Sequence, residues 1–425
     1  MENAYVLLDV GSTSIKTALV KTGSTSLQYL SSINTPDLIK PNLYHRELSP
    51  DVLLQTCLQM LEKKATLECK YIGLLITGQM GGWVVTDLEN RTKSNIVSWQ
   101  DNRSLIPNHQ NESSYNLFES LYKSDLMAKN GREFRPGLPI VGMYSDVKNL
   151  SSFGNDLRFH SIISWIGSQL CVDYKFISHS TDAAASGFLN IDNNTWIPTS
   201  RNLLPISLDL PNVVSEVTPI GYSEILDCPV YTPVGDQQSS LYGIQLSNKQ
   251  IAINLGTGAQ ISMLNDGFAN DEIQIRPYFQ GKFIATKTHL PGGRAITAFL
   301  QMIVGNEPTE ADFRWMNNQI DQFAHYSLVD VENFESEILL YKDLLIESRG
   351  KLASDVLNSI TTKYLDVILK FEPTSTYEIL VAGGVGTKMD KIARKVADSL
   401  NLKIKFAGTE ETTLQGLANI RKILN

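Results

Sequence analysis

The sequence predicts an α/β protein built from two domains. Its 425 residues are too many for one ordinary hydrophobic core, which favours two domains or two halves packed together. An apolar strand, a small-residue turn and a second strand occur twice, at 5–20 (YVLLDVGSTSIKTALV) and at 251–263 (IAINLGTGAQISM). The polar position is Asp9 in the first copy and Asn254 in the second, 245 residues later (254 − 9). The repetition suggests an internal duplication, with two unrelated hairpins as the alternative.

A third segment, 378–400 (EILVAGGVGTKMDKIARKVADSL), predicts a strand followed by a helix. The strand runs into Gly383 and Gly384, and the helix then carries apolar residues on one face at Ile392, Val396 and Leu400. A ligand can lie against bare backbone where a glycine pair opens a helix.

The remaining elements alternate in the same way. A helix is predicted to start at Pro50 with Ser49 as its cap, and the strand in YIGLLITGQMGG ends in a glycine-rich turn at 78–82. The segment THLPGGRAITAFLQMIVG predicts a loop, a glycine pair and a helix, and 310–370 reads as largely helical surface. The sequence therefore predicts two α/β halves joined by short crossings.

Composition restricts the partners. The chain is 42% hydrophobic and 19% charged, with a net charge of −8 and a pI near 5.4. The chain as a whole therefore lacks the excess of basic residues that would favour a nucleic-acid partner. Local backbone donors can still hold an anionic ligand. The four cysteines (Cys57, Cys69, Cys171, Cys228) lack CxxC spacing, which disfavours a zinc site or disulfide framework and fits a reducing compartment. No signal peptide or apolar run of about 20 residues is present, so we expect a cytoplasmic protein without a membrane partner.

Common nucleotide and hydrolase motifs are missing from the sequence. It contains no GxxxxGK[ST], GxGxxG, HExxH or GxSxG. What remains is two turns rich in backbone donors, one in each half, and a glycine-paired helix start. Two such loops facing each other can clamp a polyphosphate.

These segments together resemble the FGGY carbohydrate kinases of the actin–hexokinase superfamily. LLDVGSTSIKTALV resembles the first phosphate loop of that family, INLGTGAQIS the second, and VAGGVGTKMDKIARKVADSL the adenosine loop. ITGQMGGWVV, VSWQDNRS and STDAAASGFLNI resemble segments of the sugar half, VGDQQSSLYG the catalytic loop and GTEETTLQGLANI the closing helix. The matches run in order from residue 5 to about 420 and cover nearly the whole chain.

The resemblance implies two ribonuclease-H-like domains, each a five-stranded mixed sheet flanked by helices, with the ligand cleft between them. It places the boundary near 244–250, giving domains 1–246 and 247–425. It also implies phosphoryl transfer from ATP to a sugar hydroxyl, with Asp236 as the general base on a rigid loop containing Pro233 and Gly235. From the residues alone, a turn aspartate is the alternative, since Gly-Asp pairs punctuate loops.

By the same resemblance, Asp9 is an outer ligand of the Mg²⁺ carried by ATP, with a turn-forming aspartate as the alternative. By the resemblance, Lys16 is expected to contact the β- or γ-phosphate of ATP, and a solvent-exposed lysine without a ligand is the alternative. The residues expected to contact the nucleotide are Gly11, Ser12, Thr13, Lys16, Gly256, Thr257, Gly292, Gly293, Gly383 and Gly384.

The sugar pocket implied by the resemblance combines an apolar wall with acceptors and forked donors. Its expected residues are Gln79, Met80, Trp99, Asp101, Arg103 and Gln237. The alternatives are core packing for Trp99 and a surface ion pair for Asp101 and Arg103.

Two positions depart from the family pattern: Gly81 stands where many ketose kinases carry histidine, and Asp182 where asparagine is usual. Subfamily resemblance points to sedoheptulose first, D-xylulose or another pentulose second, and glycerol third. A catalytically inactive nucleotide-binding sensor and a sugar-binding protein without nucleotide are the competing functions. We expect a small-molecule sugar as partner and allow a homodimer.

Overall fold

The computed structural model describes residues 2–122, 124–154, 156–198, 202–204, 206–265, 267, 270–323, 329–331, 338–340, 348–408 and 411–424. The chain forms two compact units. Unit 1 contains Met1–Gly243, Ile275–Lys282 and Thr413–Asn425, and unit 2 contains Ile244–Gln274 and Phe283–Thr412. Unit 1 thus takes in two segments that follow the predicted boundary at 246/247 in the chain.

In the described part of its first segment, unit 1 contains many strands and eight α-helices. The strands are β1 Asn3–Val10, β2 Ser14–Lys21, β3 Gln28–Asn34, β4 Glu47–Leu48, β5 Lys70–Gly78, β6 Trp83–Thr86, β7 Ile96–Val97, β8 Leu157–Ser161, β9 Ile177–His179, β10 Leu189–Asn190, β11 Thr195–Trp196, β12 Leu208–Asp209, β13 Asn212–Val214, β14 Pro219–Ser223, β15 Cys228–Tyr231 and β16 Val234–Gly235. The helices described there are α1 Pro50–Ala65, α2 Ser114–Leu121, α3 Ser124–Lys129, α4 Pro139–Ser145, α5 Val147–Ser152, α6 Ile162–Gln169, α7 Ser180–Ala183 and α8 Asp236–Gly243.

The main sheet of unit 1 has the order β14-β15-β5-β1-β2-β3, with β16 paired to β5. Strands β1, β2 and β3 are antiparallel, whereas β1, β15 and β16 each run parallel to β5. In the register, Asp9 lies opposite Thr77, and Thr77 lies opposite Val234. The carboxyl ends of β1, β5 and β16 therefore meet at one edge of the sheet, where the predicted site residues follow.

Helix α1 begins as predicted, with Pro50 at its first position and the Ser49 side chain accepting the Val52 N–H. Its apolar face packs on the main sheet together with α6, burying Leu53, Leu61 and Ile166. A second sheet of order β12-β8-β6-β7-β4 packs with α2 and α4 around a separate core that contains three stacked or tilted aromatic rings, Phe118, Tyr122 and Tyr144. Burial of apolar surface accounts for most of the stability of both layers.

Unit 2 repeats the pattern of the main sheet in a smaller form. Its strands are β17 Gln250–Leu255, β18 Ala259–Asn265, β20 Phe283–Leu290, β21 Val329–Val331, β22 Ile338–Leu340, β23 Glu378–Ala382 and β24 Lys403–Phe406, whereas β19 Gln274–Pro277 falls mostly in the unit 1 segment Ile275–Lys282. Its helices are α9 Gly293–Val304, α10 Glu310–Gln319, α11 Arg349–Leu369, α12 Gly384–Lys388 and α13 Asp390–Ser399, and α14 Thr412–Ile420 then leads back into unit 1.

Within unit 2 the strand order is β20-β18-β17-β23-β24. The first three strands are antiparallel, and β17, β23 and β24 are parallel. This equals the β3-β2-β1-β5-β15 part of unit 1, which supports the internal duplication inferred from the two hairpins. The five-stranded sheet implied by the resemblance is present in unit 2, and unit 1 extends it with β14 and β16.

Three local predictions need correction. The segment after Gly235 is not a loop, because Asp236 is the first residue of helix α8. The helix predicted across 384–400 is broken at Met389 into α12 and α13 and ends at Ser399. The stretch 310–370 contains strands β21 and β22 besides α10 and α11, and part of it lies outside the described residues. The mixed α/β class is confirmed. No helix in the described ranges has the length and apolar character needed to span a membrane.

Candidate active site

Asp236 is held where the sheet of unit 1 meets a helix. Strand β16 pairs with β5, and the Thr77 hydroxyl donates to the carbonyl of Val234 at 2.9 Å. The N–H of Gly235 donates to the hydroxyl of Thr181 at 3.2 Å. Helix α8 starts at the next residue, so both the strand and the helix restrict the backbone of Asp236. A short carboxylate is thereby fixed without the rigid loop that the sequence suggested.

The C-terminal helix α14 connects Asp236 to Asp9. A Cβ on Gly416 would lie 1.9 Å from the carbonyl oxygen of Ser239 in α8, so the two helices touch through bare backbone. The Ser239 hydroxyl donates to the carbonyl of Thr413 at 2.8 Å. The Thr413 hydroxyl in turn donates to Oδ2 of Asp9 at 2.6 Å. Thr413 was missed in the sequence analysis, where only its segment was noted.

The environment of Asp236 changes its protonation. Burial raises the pKa of Asp236 to about 7, and the negative charge of Asp9 contributes in the same direction. The N–H of Gln237 and the guanidinium of Arg276 lower the pKa but do not cancel the increase. A carboxyl group with a pKa near neutrality is well matched to accepting a proton at physiological pH.

Gln237 belongs to a buried polar chain that the sequence analysis did not identify. The Arg276 guanidinium donates to Oε1 of Gln237 and, at 2.8 Å, to Oε1 of Glu133. Arg276 and Glu133 are 143 residues apart. The close backbone approach of Gly131 to Ile275, where a Cβ would lie 2.0 Å from a carbonyl oxygen, brings them together. No short motif contains both residues, so the sequence offered no signal for this pair.

Gln79 and Met80 follow β5 at the same edge of the sheet. The N–H of Gln79 donates to the carbonyl of Val10 at 3.0 Å. Its side chain is buried, and its Nε2 has no hydrogen-bond partner among the described residues. The sulfur of Met80 lies over Gly235, 2.5 Å from where a Cβ would be. Met80 therefore lies against the residue before Asp236, and Gln79 follows Gly78, the register partner of Gly235. A buried amide nitrogen without a partner among the described residues is suited to a ligand hydroxyl, and the roles of both residues in sugar binding stay predictions.

Asp101 and Arg103 have a different environment from a surface ion pair, because both are buried. The Arg103 guanidinium contacts Asp101 at 2.8 Å, Asp146 at 2.9 Å and Glu47 at 2.6 Å. Three carboxylates thus use most of its donors. Trp99 is half-buried, and its carbonyl accepts from Nη1 of Arg135 at 3.1 Å. The roles of these three residues in sugar binding stay predictions.

The turn between β1 and β2 carries the residues expected at the phosphates. Gly11 closes the turn by donating to the carbonyl of Ser14 at 3.1 Å, and Ser12 and Thr13 are exposed. Lys16 lies opposite Asp9 in the strand register. The turn therefore presents hydroxyls and backbone N–H groups to solvent, which is the chemistry that phosphate oxygens accept.

The glycines of unit 2 fall into two groups. Three pack tightly: a Cβ would lie 2.7 Å from the neighbouring backbone at Gly292 and Gly293, and 2.4 Å from it at Gly383, whose φ is +90°. Gly384 meets nothing within 4 Å, and Gly256 meets only one carbonyl oxygen at 3.7 Å. The packed glycines hold β17, α9 and α12 together, and the open ones leave bare backbone that a nucleotide can approach.

Few side chains of the described residues are available as metal ligands at this site. Among the described residues there is no cluster of three His, Cys, Asp or Glu side chains that could hold an ion. Asp9 is a single carboxylate at the strand edge. This donor set fits Mg²⁺ that retains waters and is carried by phosphate oxygens, because such an ion needs few protein ligands.

Comparisons with known proteins define the family. Residues 4–243 match the N-terminal domain of the FGGY family of carbohydrate kinases. No curated protein sequence is significantly similar to the chain.

Solved structures share the fold over the whole chain. Ligand-bound xylulose kinase from Lactobacillus acidophilus has a TM-score of 0.84 at 17% identity, covering 99% of this chain and 89% of its own. Gluconate kinase from the same organism has a TM-score of 0.84 at 17% identity, with 100% and 89% coverage. Plasmodium falciparum glycerol kinase with ADP has a TM-score of 0.83 at 15% identity, with 100% and 90% coverage.

The family match covers more than half of the chain, and the structural likeness extends through the rest. The protein therefore belongs to the FGGY family of carbohydrate kinases, a group of phosphotransferases with a two-domain, actin–hexokinase-like α/β architecture.

Proposed function

We propose that this kinase transfers the terminal phosphoryl group of ATP to a hydroxyl of a small sugar, with Asp236 as the general base. The observation that carries the proposal is the position of Asp236 at the junction of β16 and α8, with a pKa raised to about 7 by burial and by Asp9. Phosphoryl transfer depends mainly on positioning and charge stabilisation. A fixed carboxylate orients the acceptor hydroxyl and takes its proton as the new P–O bond forms.

We propose that the nucleotide binds against the backbone of unit 2 at glycines whose Cα faces open space. Gly256 and Gly384 leave room for a ligand, whereas substitution of the packed Gly383 would disrupt the unit itself. In unit 1, the turn at Gly11–Thr13 supplies donors for phosphate oxygens, and Asp9 supplies one carboxylate toward hydrated Mg²⁺. The ion would neutralise phosphate charge when bound.

The acceptor is a polyhydroxylated compound, for which sedoheptulose is our first candidate, a pentulose such as D-xylulose the second and glycerol the third. The structural neighbours carry the names of xylulose, gluconate and glycerol kinases, and at 15–17% identity their likeness supports the fold alone. A screen must therefore include every one of these acceptors.

The test is ADP release with Mg²⁺-ATP and a panel of sedoheptulose, D-xylulose, D-ribulose, glycerol and D-gluconate. We expect acceptor-dependent ADP release with at least one member, and loss of that release in Asp236→Asn. Asp192→Asn, which changes an exposed aspartate, is the matched control and should retain the wild-type rate.

A catalytically inactive nucleotide sensor is the competing function. It predicts that ATP raises the thermal midpoint while no acceptor in the panel releases ADP. A sugar-binding protein without nucleotide predicts no effect of ATP on the midpoint. Either result would refute the proposed phosphoryl transfer.

A further inference from the structure

Arg135 lies on bare backbone next to the candidate sugar pocket. Gly81, two residues after Gln79, has φ +77°, and a Cβ there would lie 2.2 Å from Nη2 of Arg135. The guanidinium therefore occupies the space that any side chain at position 81 would need. The space left by the absent side chain of Gly81 is thus filled by Arg135, which lies in the loop between α3 and α4.

The guanidinium is held firmly on one side only. Its Nη1 donates to the carbonyl of Trp99 at 3.1 Å. Gly137 allows this approach, because a Cβ there would lie 2.3 Å from that carbonyl oxygen and 2.8 Å from Nη1. Nε forms an ion pair with Oε1 of Glu133 at 3.5 Å but no hydrogen bond. Within the described ranges, Nε and Nη2 of Arg135 donate no hydrogen bond.

Charge is also unbalanced at this point. Arg276 donates to the same Oε1 of Glu133 at 2.8 Å, so one carboxylate serves two guanidinium groups. The side chains of Arg135, Arg276 and Glu133 are only 15%, 8% and 3% exposed. Buried cationic donors are costly unless they have partners.

Arg103 provides an internal comparison. Its guanidinium contacts three carboxylates, which is the arrangement expected of a buried arginine with a structural role. Arg135 in the same unit shares a single carboxylate with Arg276, and its Nε and Nη2 donate no hydrogen bond within the described residues. A structural role alone does not account for that difference.

Two routes connect the guanidinium of Arg135 to Asp236. Arg276 bonds the side chain of Gln237, the residue after Asp236, and also bonds Glu133 beside Arg135. On the other side, the segment carrying Gly81 also carries Met80, whose sulfur lies against Gly235. Arg135 is therefore positioned beside the groups that surround the proposed base, all within unit 1.

From these contacts we infer that Arg135 is a specificity-determining residue whose Nε and Nη2 groups donate to a pair of oxygen atoms on the acceptor. The inference rests on the proposed function and deepens it. A guanidinium fork matches two neighbouring oxygen atoms. Adjacent sugar oxygens and the carboxylate of a sugar acid both present this chemistry.

Direct binding without ATP separates this inference from catalysis. Isothermal titration uses four probes: sedoheptulose, D-xylulose, and the matched pair D-gluconate and D-glucitol, which differ in a carboxylate against a CH₂OH group. The variants are Arg135→Gln, Arg135→Lys and the control Arg91→Gln, whose arginine is 69% exposed on the surface.

We expect Arg135→Gln to weaken binding of the preferred probe about 10-fold or more, since hydrogen bonds from a charged donor contribute that much. Arg135→Lys should recover part of the loss, and ATP affinity and the Arg91→Gln variant should match wild type. If wild type prefers D-gluconate to D-glucitol and Arg135→Gln abolishes this preference, Arg135 binds the carboxylate of the acceptor. If Arg135→Gln instead weakens binding of both ketoses equally, Arg135 binds neighbouring sugar oxygens.

Gly81→Asn is a second variant that keeps the arginine. Asparagine tolerates positive φ better than most residues, and its side chain would displace the guanidinium from its position. It should reproduce the binding loss of Arg135→Gln, and this covers the case in which Arg135→Gln does not fold.

The inference is overturned if wild type binds none of the four probes, or if both variants bind the preferred probe within about 2-fold of wild type. Failure of the proposed function has a different signature, in which a probe binds in an Arg135-dependent manner and yet no phosphate is transferred to it.

Discussion

The substitution Asp236→Asn tests both the chemistry and the electrostatics of the site. Asparagine has nearly the same shape but cannot accept the proton of the acceptor hydroxyl. General base catalysis contributes typically about 10²- to 10⁴-fold, so kcat should fall by this range. Affinities for ATP and acceptor should change little, because the backbone of β16 and α8 is unaffected.

The same substitution has a defined effect on stability. Asp236 has a pKa near 3.8 when unfolded and about 7 in the folded protein. The folded state therefore binds the proton more tightly, and wild type loses stability as pH rises from about 4 to about 7. Asparagine does not titrate, so the variant escapes this loss.

The size of this stability change follows from the difference between the folded and unfolded pKa values of Asp236. About 3 pKa units correspond to about 4 kcal/mol at most above pH 7. At pH 5, wild type has already lost about 1.4 kcal/mol of stability, the equivalent of one pKa unit. The stability advantage of the variant should therefore grow by about 3 kcal/mol between pH 5 and pH 8. Partial exposure of the side chain reduces this value.

Urea unfolding of both proteins at several pH values measures the difference, with Asp192→Asn as control. The wild-type rate with acceptor should also fall below about pH 7, as Asp236 becomes protonated. The reasoning is refuted if Asp236→Asn keeps kcat within about 3-fold of wild type, or if its stability advantage is the same at pH 5 and pH 8.

Four further substitutions test the surroundings of the site. Gly384→Val should fold normally but weaken ATP binding, whereas Gly383→Val should unfold unit 2 because its Cβ would lie 2.4 Å from a carbonyl oxygen; equal thermal midpoints for the two variants would contradict this. Gly416→Ala should separate α14 from α8 and lower both the midpoint and kcat, and an unchanged midpoint would show that the backbone contact is unimportant. Arg103→Gln leaves three carboxylates without their cation and should cost about 3–5 kcal/mol of stability by urea unfolding, with a cost below about 1 kcal/mol counting against a structural role.

Much of the framework could be predicted because its signals are local. Alternating apolar strands and glycine turns identified both hairpins, and Ser49 with Pro50 identified the start of α1. Asp236 stood out because a lone carboxylate followed an apolar strand. Its position in a helix rather than a loop was not predictable, since GDQQ also fits a turn and only the pairing of β16 with β5 fixes the backbone there.

The two strand-turn-strand hairpins, the start of α1 and the lone carboxylate of Asp236 after an apolar strand could be identified from the sequence alone, because each signal lies within one short segment of the chain. The tertiary structure decided which groups surround that base. Thr413 reaches Asp9 across 404 residues, and Arg276 reaches Glu133 across 143. Hydrogen bonds and charge–charge interactions depend on distance in space. The raised pKa of Asp236 and the lack of hydrogen bonds from Nε and Nη2 of Arg135 are therefore set only when the chain has folded.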